Sequence, residues 1–212
     1  MSLRLGVLAS GRGSNFVAIA EAIVRGDLDA SIRLVVSDRQ DAPVLRRAKR
    51  LGIDAFYLPY DRSDRRVFEL RAAELLEASA CELVVLAGFM RIVSPFLLSR
   101  FPDRIVNIHP SLLPAFKGMD AQAQALRYGV KLAGCTVHIV NEEMDAGRIL
   151  GQRAVNVYES DSEAELSARI LQEEHQLYPE VIGEYGRRLQ ECGAFCGTAR
   201  GTGTESVPLE VT

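Results

Sequence analysis

The chain has 212 residues, 48% of them apolar and 25% charged, with a formal net charge of −3 at neutral pH. These proportions fit an ordinary soluble globule large enough to bury a sizeable core, and they speak against disorder and against a basic surface for nucleic acid. Cys81, Cys135, Cys192 and Cys196 have the spacing neither of a disulfide framework nor of a tetrahedral metal site, so a reduced, cytoplasmic setting is expected.

Leu3 to Ala9 is a continuous apolar run, too short for a signal sequence or a bilayer span, and is expected as a first strand. Ser10-Gly11-Arg12-Gly13-Ser14-Asn15 follows, after which Phe16, Ile19, Ala20, Ile23 and Val24 recur at helical spacing. Strand, glycine loop and helix in this order leave backbone N–H groups at a helix start, where the aligned peptide dipoles attract phosphate. The loop has no lysine, so it is not the phosphate loop of nucleotidases, and Phe16 stands where a dinucleotide fingerprint needs its third glycine. Asp38, at the end of the second strand, sits near where a ribose-binding acid would lie, which keeps a nicotinamide enzyme as a lesser alternative.

Ile32 to Ser37 reads as the second strand, Ala42 to Leu51 as a helix stopped by Gly52, and Ala55 to Leu58 as a third strand ended by Pro59. A helix from about Asp64 to Ser79 would present Val67, Leu70, Ala73, Leu75 and Leu76 to the core. The arginines of Arg46 to Arg50 and Arg62 to Arg66 are interrupted by other residue types and read as solvated helix faces. Strand, helix, strand in repetition demands right-handed crossovers and a parallel sheet, with Leu83 to Ala87 as a fully apolar central strand. At its carboxyl end comes Gly88-Phe89-Met90-Arg91-Ile92-Val93, which either packs the next helix or faces a ligand.

Ile105 to Pro114 reads I-V-N-I-H-P-S-L-L-P, a buried strand ended by Pro110. Period-two geometry turns Asn107 and His109 to the same side at a carboxyl strand end, which in an open parallel sheet faces the ligand crevice. Ser111 invites a hydrolase reading, but no glycine elbow precedes it. Ala121 to Tyr128 is a helix ended by Gly129; Leu132 to Val140 and Ile149 to Val157 are strands joined by Asn141 to Arg148, a link longer than a hairpin needs. That link contains Met144-Asp145-Ala146-Gly147, and His138 lies in the strand before it. Ser162 with Glu165 makes a capping box opening a helix at about Glu163, with Leu166, Ile170, Leu171 and Leu177 along one side. Pro179 is expected to kink or restart this helix, and Glu174 and His175 read as a solvated or capping pair. Beyond Gln190 glycine, threonine, serine and proline dominate, and a flexible tail over residues 191–212 is expected.

The N-I-H-P-S-L-L-P string with its following M-D-A-G resembles the formyltransferases that use 10-formyltetrahydrofolate, over residues 1–190. The resemblance implies a Rossmann-like, three-layer α/β fold with a mostly parallel sheet of about seven strands and helices on both faces. It divides one domain, 1–190, into a nucleotide- and phosphate-binding half, 1–100, and a folate-binding and catalytic half, 101–190. By position, Gly13, Ser14 and Asn15 would hold the phosphate of glycinamide ribonucleotide and Glu174 its ribose hydroxyls. Arg65, Met90, Arg91, Ile92, Val93 and Asn107 would meet the folate, and His138 would fix the surroundings of Asp145. Leu171 stands where some members have glutamine, which removes a polar contact at that point.

The implied reaction moves the formyl group from 10-formyltetrahydrofolate to the amine of glycinamide ribonucleotide in purine synthesis. It asks for an oxyanion donor, an acid and a proton acceptor, roles that fall to Asn107, His109 and Asp145 without a metal or a tightly bound cofactor. The expected partners are these two small molecules, with no nucleic acid or membrane, in a monomer or homodimer. Relatives acting on methionyl-tRNA carry a further domain after the catalytic part, and hydrolases of the formyl-folate carry one before it; neither is expected here. The hydrolase remains an alternative, as does a non-catalytic folate- or nucleotide-binding module.

Overall fold

The structure is a computed structural model that describes residues 2–197. Among these residues seven strands form one sheet: β1 (Leu3–Leu8), β2 (Ala30–Ser37), β3 (Asp54–Tyr57), β4 (Leu83–Leu86), β5 (Ile105–His109), β6 (Leu132–Ile139) and β7 (Ile149–Asn156). Their spatial order is β3-β2-β1-β4-β5-β6-β7. All pairs from β3 to β5 are parallel, whereas β5–β6 and β6–β7 are antiparallel. The winding direction therefore reverses between β1 and β4, the point where the carboxyl ends of an open sheet part to form a crevice.

Among the described residues six helices accompany the strands: α1 (Ser14–Arg25), α2 (Pro43–Arg50), α3 (Arg65–Ala78), α4 (Pro95–Arg100), α5 (Ala121–Tyr128) and α6 (Glu163–Gly197). Alternation along the strands sorts the core into two faces. Leu5, Val7, Val35, Leu83, Val85, Val106, Ile108, Cys135 and Val137 pack with α1, α2, α5 and α6. Leu8, Leu34, Val36, Val84, Leu86 and Ile105 pack with α3 and α4. Sequence patterning locates every strand, four helices and the start of α6 to within about two residues; the short α4, opened by Pro95 after Ser94, is the helix it misses.

Three expectations are corrected. Helix α3 buries Phe68, Glu69, Ala72, Ala73 and Leu76, while Val67 and Leu70 are exposed. The stripe is set by Phe68, whose ring fills the space between Tyr60 (centroids 5.6 Å apart) and Phe89 (5.8 Å). Helix α6 is not restarted at Pro179 but continues through it, because Leu177, Tyr178, Val181 and Ile182 on either side are buried and offset the one lost hydrogen bond. It also continues past Gln190 to Gly197, since extending an established helix costs little. The rest of the expected tail, residues 198–212, lies outside the described residues. The capping box forms: the Glu165 carboxylate accepts from Ser162 N (2.8 Å) and Oγ (2.7 Å).

Candidate active site

Two loops meet at the reversal point. The chain leaving β1 and the chain leaving β4 are tied by Ser10 N donating to Gly88 O (3.1 Å) and Met90 N donating to Ser10 Oγ (2.8 Å). Gly13 caps α1 in the left-handed region (φ 75°), and no side chain caps the helix, leaving its first N–H groups open. A Cβ at Gly13 would press on Val44, so the tight entry into α1 requires glycine. Asn15, in the first turn of α1, donates Nδ2–H to Glu174 Oε2 of α6 (2.8 Å). Both side chains are buried, so Glu174 is not the solvated residue that its adjacency to His175 suggested. Burial pushes the Glu174 carboxyl up to about 7 against the lowering effect of Asn15. The amide oxygen of Asn15 is buried with no partner among the described residues.

The second cluster is built by strand register. β5 faces β6 with Asn107 opposite His138 and His109 opposite Thr136, and β6 faces β7 with Thr136 opposite Gln152. Directly opposed residues share a face, so these polar side chains lie on the α3–α4 side of the sheet, alternating with Val106, Ile108 and Val137 on the other.

His109 Nε2 donates to Phe116 O (2.9 Å), and its Nδ1 lies 3.4 Å from Asp145 Oδ2. A carbonyl and a carboxylate can only accept, so each ring nitrogen of His109 faces an acceptor. His138 Nδ1 donates to Ile139 O (2.9 Å), while Nε2 lies 3.2 Å from Asn107 Nδ2 and 3.6 Å from Asp145 Oδ1. His138 is therefore bound into the polar cluster. Asn107 spends one amide hydrogen on that ring and keeps a second for a ligand. The loop after β6 folds back to bring Asp145 here, with Asp145 in the left-handed region (φ 49°) and Gly118 N donating to Oδ2 (2.8 Å). Burial raises the Asp145 carboxyl, but the neighbouring His138 ring, the hydrogen bond from Gly118 N and the His109 ring outweigh it, holding it below the ordinary value.

The arrangement offers an amide donor, an imidazole flanked by acceptors and a charged carboxylate within one cleft, the parts of an acyl transfer that proceeds through an oxyanion. The formyl transferase family model matches residues 3–182. The chain belongs to that family. It is 44% identical over 180 residues to the phosphoribosylglycinamide formyltransferase of Bacillus subtilis, covering 84% of this chain and 92% of that protein. Glycinamide ribonucleotide transformylase 1 from Symbiobacterium toebii superposes with a TM-score of 0.84 at 47% identity, covering 88% of each chain. A formyltetrahydrofolate deformylase from Pseudomonas syringae pv. tomato also superposes, with a TM-score of 0.84 at 28% identity over 89% of this chain and 62% of that one.

Within this formyl transferase the other anticipated positions fall in two groups. Met90 and Ile92 are exposed and Val93 is buried on the loop after β4. Arg91 Nε donates to Asp38 Oδ2 (2.6 Å), so the carboxylate that suggested a ribose-binding acid is taken up by an arginine. Arg65 is exposed at the first position of α3. Thr136 and Gln152 hold the turn after His109, although neither carries a motif in the sequence. Thr136 Oγ1 donates to Ser111 O (2.7 Å) and accepts from Leu113 N (3.0 Å) and Gln152 Nε2 (2.9 Å). Gln152 also donates to Leu113 O (2.9 Å). Among the described residues no group of three or more His, Cys, Asp or Glu side chains is placed to hold a metal ion, and no helix is long and apolar enough to cross a membrane.

Proposed function

We propose that the protein transfers the formyl group of 10-formyltetrahydrofolate to the amine of glycinamide ribonucleotide, as a cytoplasmic enzyme of purine synthesis. The amine nitrogen attacks the formyl carbon, and the carbonyl becomes an oxyanion held by the free amide hydrogen of Asn107, with the His109 ring beside it stabilising the charge when protonated. A proton leaves the attacking nitrogen toward Asp145, directly or through one water. The bond from carbon to N10 breaks as N10 takes up a proton, giving the formylated ribonucleotide and tetrahydrofolate. One preorganised oxyanion donor is worth about 3 kcal/mol of barrier, and positioned proton transfer adds roughly 10²–10⁴-fold.

The approach of Asp145 to His109, at 3.4 Å, carries this reading, because it joins a distant loop to the strand end that bears the acid. The open N-terminus of α1 at Gly13, Ser14 and Asn15 suits the substrate's phosphate, and Glu174 beside it suits the ribose hydroxyls. The loop bearing Met90, Arg91, Ile92 and Val93 is assigned to the folate, together with Arg65 at the start of α3. The names of the relatives favour transfer to the ribonucleotide over hydrolysis. Absorbance on mixing 10-formyl-folate with the enzyme tests it: formyl loss only when glycinamide ribonucleotide is added is expected. Loss without the ribonucleotide would mean a hydrolase, and no loss in either case a binding module.

A further inference from the structure

The loop from Gly88 to Ser94 is tied at both ends. At its start Met90 N donates to Ser10 Oγ (2.8 Å). At its end the buried carboxylate of Glu69 accepts from Ser94 N (2.8 Å) and from the Ser94 hydroxyl. Between these anchors Met90 and Ile92 stand 69% and 56% exposed, so packing does little to fix those two positions, while Val93 next to Ser94 is buried. The polar tie in the middle is Arg91, whose Nε donates to Asp38 Oδ2 at 2.6 Å. The Asp38 side chain is fully buried, and that of Arg91 is 25% exposed. The guanidinium lies over the Tyr60 ring, 4.5 Å from its centroid, so its plane is fixed from a second direction.

A buried carboxylate is costly to keep, and Asp38 Oδ1 has no partner among the described residues. The fold retains the charge where a single strand end, that of β2, meets the loop leaving β4. We infer that Asp38 is a positioning residue for folate: by holding Arg91 it presets the main chain of Met90 to Val93 in the shape the co-substrate meets. This rests on the assignment of that loop to 10-formyltetrahydrofolate made above. Asp38 does not touch the ligand; it removes the ordering cost the loop would otherwise carry on binding.

The test is Asp38→Ala in the full chain, with Asp38→Asn as the variant that keeps the shape and a neutral acceptor. Losing a charge-assisted hydrogen bond should raise KM for 10-formyl-folate by roughly tenfold to hundredfold. Turnover at saturation and KM for the ribonucleotide should stay near the wild-type values, and Asp38→Asn should fall between. Amide hydrogen exchange over residues 88–94, followed without ligand, should accelerate in Asp38→Ala while the strands stay protected. Unchanged exchange with unchanged KM overturns the inference, as does an equal loss in kcat and both KM values, which would mark a general structural role. Faster exchange with an unchanged folate KM would leave the clamp standing and remove the loop from the folate site. A wild-type enzyme without transferase activity would refute the functional reading alone, since the exchange measurement still decides whether Asp38 holds the loop. Should Asp38→Ala not fold, the same two measurements on Asp38→Asn decide.

Discussion

Replacing Glu174 by glutamine should stabilise the ligand-free protein at pH 8 while weakening its hold on the ribonucleotide. The carboxyl is buried, and that burial lifts it from 4.5 to about 7. Between those values the folded chain holds a proton that the unfolded chain has released, so stability falls as pH rises through this window. The contribution is fully present below 4.5 and gone above about 7; it corresponds to roughly 3 kcal/mol. Glutamine has no such titration. Its carbonyl can keep the bond from Asn15 Nδ2, and its amide can donate to Asn15 Oδ1, which has no partner in the native arrangement.

Thermal or urea unfolding of both proteins from pH 4.5 to 8 gives the difference directly, and other titrations cancel in it. Wild type minus variant should drop by roughly 3 kcal/mol across the range, a change of about 6–12 °C in relative Tm for a chain of this size. Parallel profiles would refute the reasoning, because they would mean the carboxyl is no more buried from water in the fold than in the unfolded chain. KM for glycinamide ribonucleotide should rise in the same variant, since a neutral amide is a poorer acceptor for ribose hydroxyls than a carboxylate.

Three further substitutions probe the cluster on β5 and its loop. His109→Ala should lower kcat by roughly 10²–10³-fold with little change in either KM, and steady-state kinetics showing equal losses in binding would assign the ring a structural role. Asp145→Asn should lower kcat by roughly 10²–10⁴-fold at neutral pH. Because the native carboxyl lies below its ordinary value of 3.8, its contribution to stability should persist from neutral pH down and fade only as pH falls below that value, which acid titration of wild type and variant compares. Gly147→Ala would put a Cβ onto the carbonyl of Ile139, so a loss of about 1–3 kcal/mol is expected in unfolding together with a fall in kcat as Asp145 is displaced.

Patterning in the chain was enough to place the strands, the parallel half of the sheet and the side shared by Asn107 and His109, because each depends on period-two alternation over a few neighbouring residues. Helix α3 shows where that stops. Its apolar residues fall in two overlapping stripes, and the choice between them is made by Tyr60 and Phe89, which arrive from elsewhere in the chain. Glu69 is buried for the same kind of reason, its carboxylate being claimed by Ser94. Asp38 was visible as an acid at a strand end, yet its partner Arg91 lies 53 positions away and no local signal connects them. Thr136 and Gln152 carry no signal in a lone sequence, since each looks like an ordinary strand residue until the antiparallel register sets them in a row with His109.

The placement of Asp145 is the least local feature of the site. β6 runs antiparallel to β5 and ends beside Val106, toward the start of that strand, whereas Asp145 must reach His109 at its other end. The loop therefore doubles back over the sheet face, and the close approach of Gly147 to the Ile139 carbonyl marks the fold-back. Its carboxylate is then received by Gly118 N, while the imidazole is received by Phe116 O. Both anchors belong to the turn that follows His109, so a rigid shift of that turn would carry ring and carboxylate together and preserve their separation. Thr136 and Gln152 fix the same turn at Ser111 and Leu113. One short turn thus sets the relative position of two groups that the sequence keeps 36 residues apart.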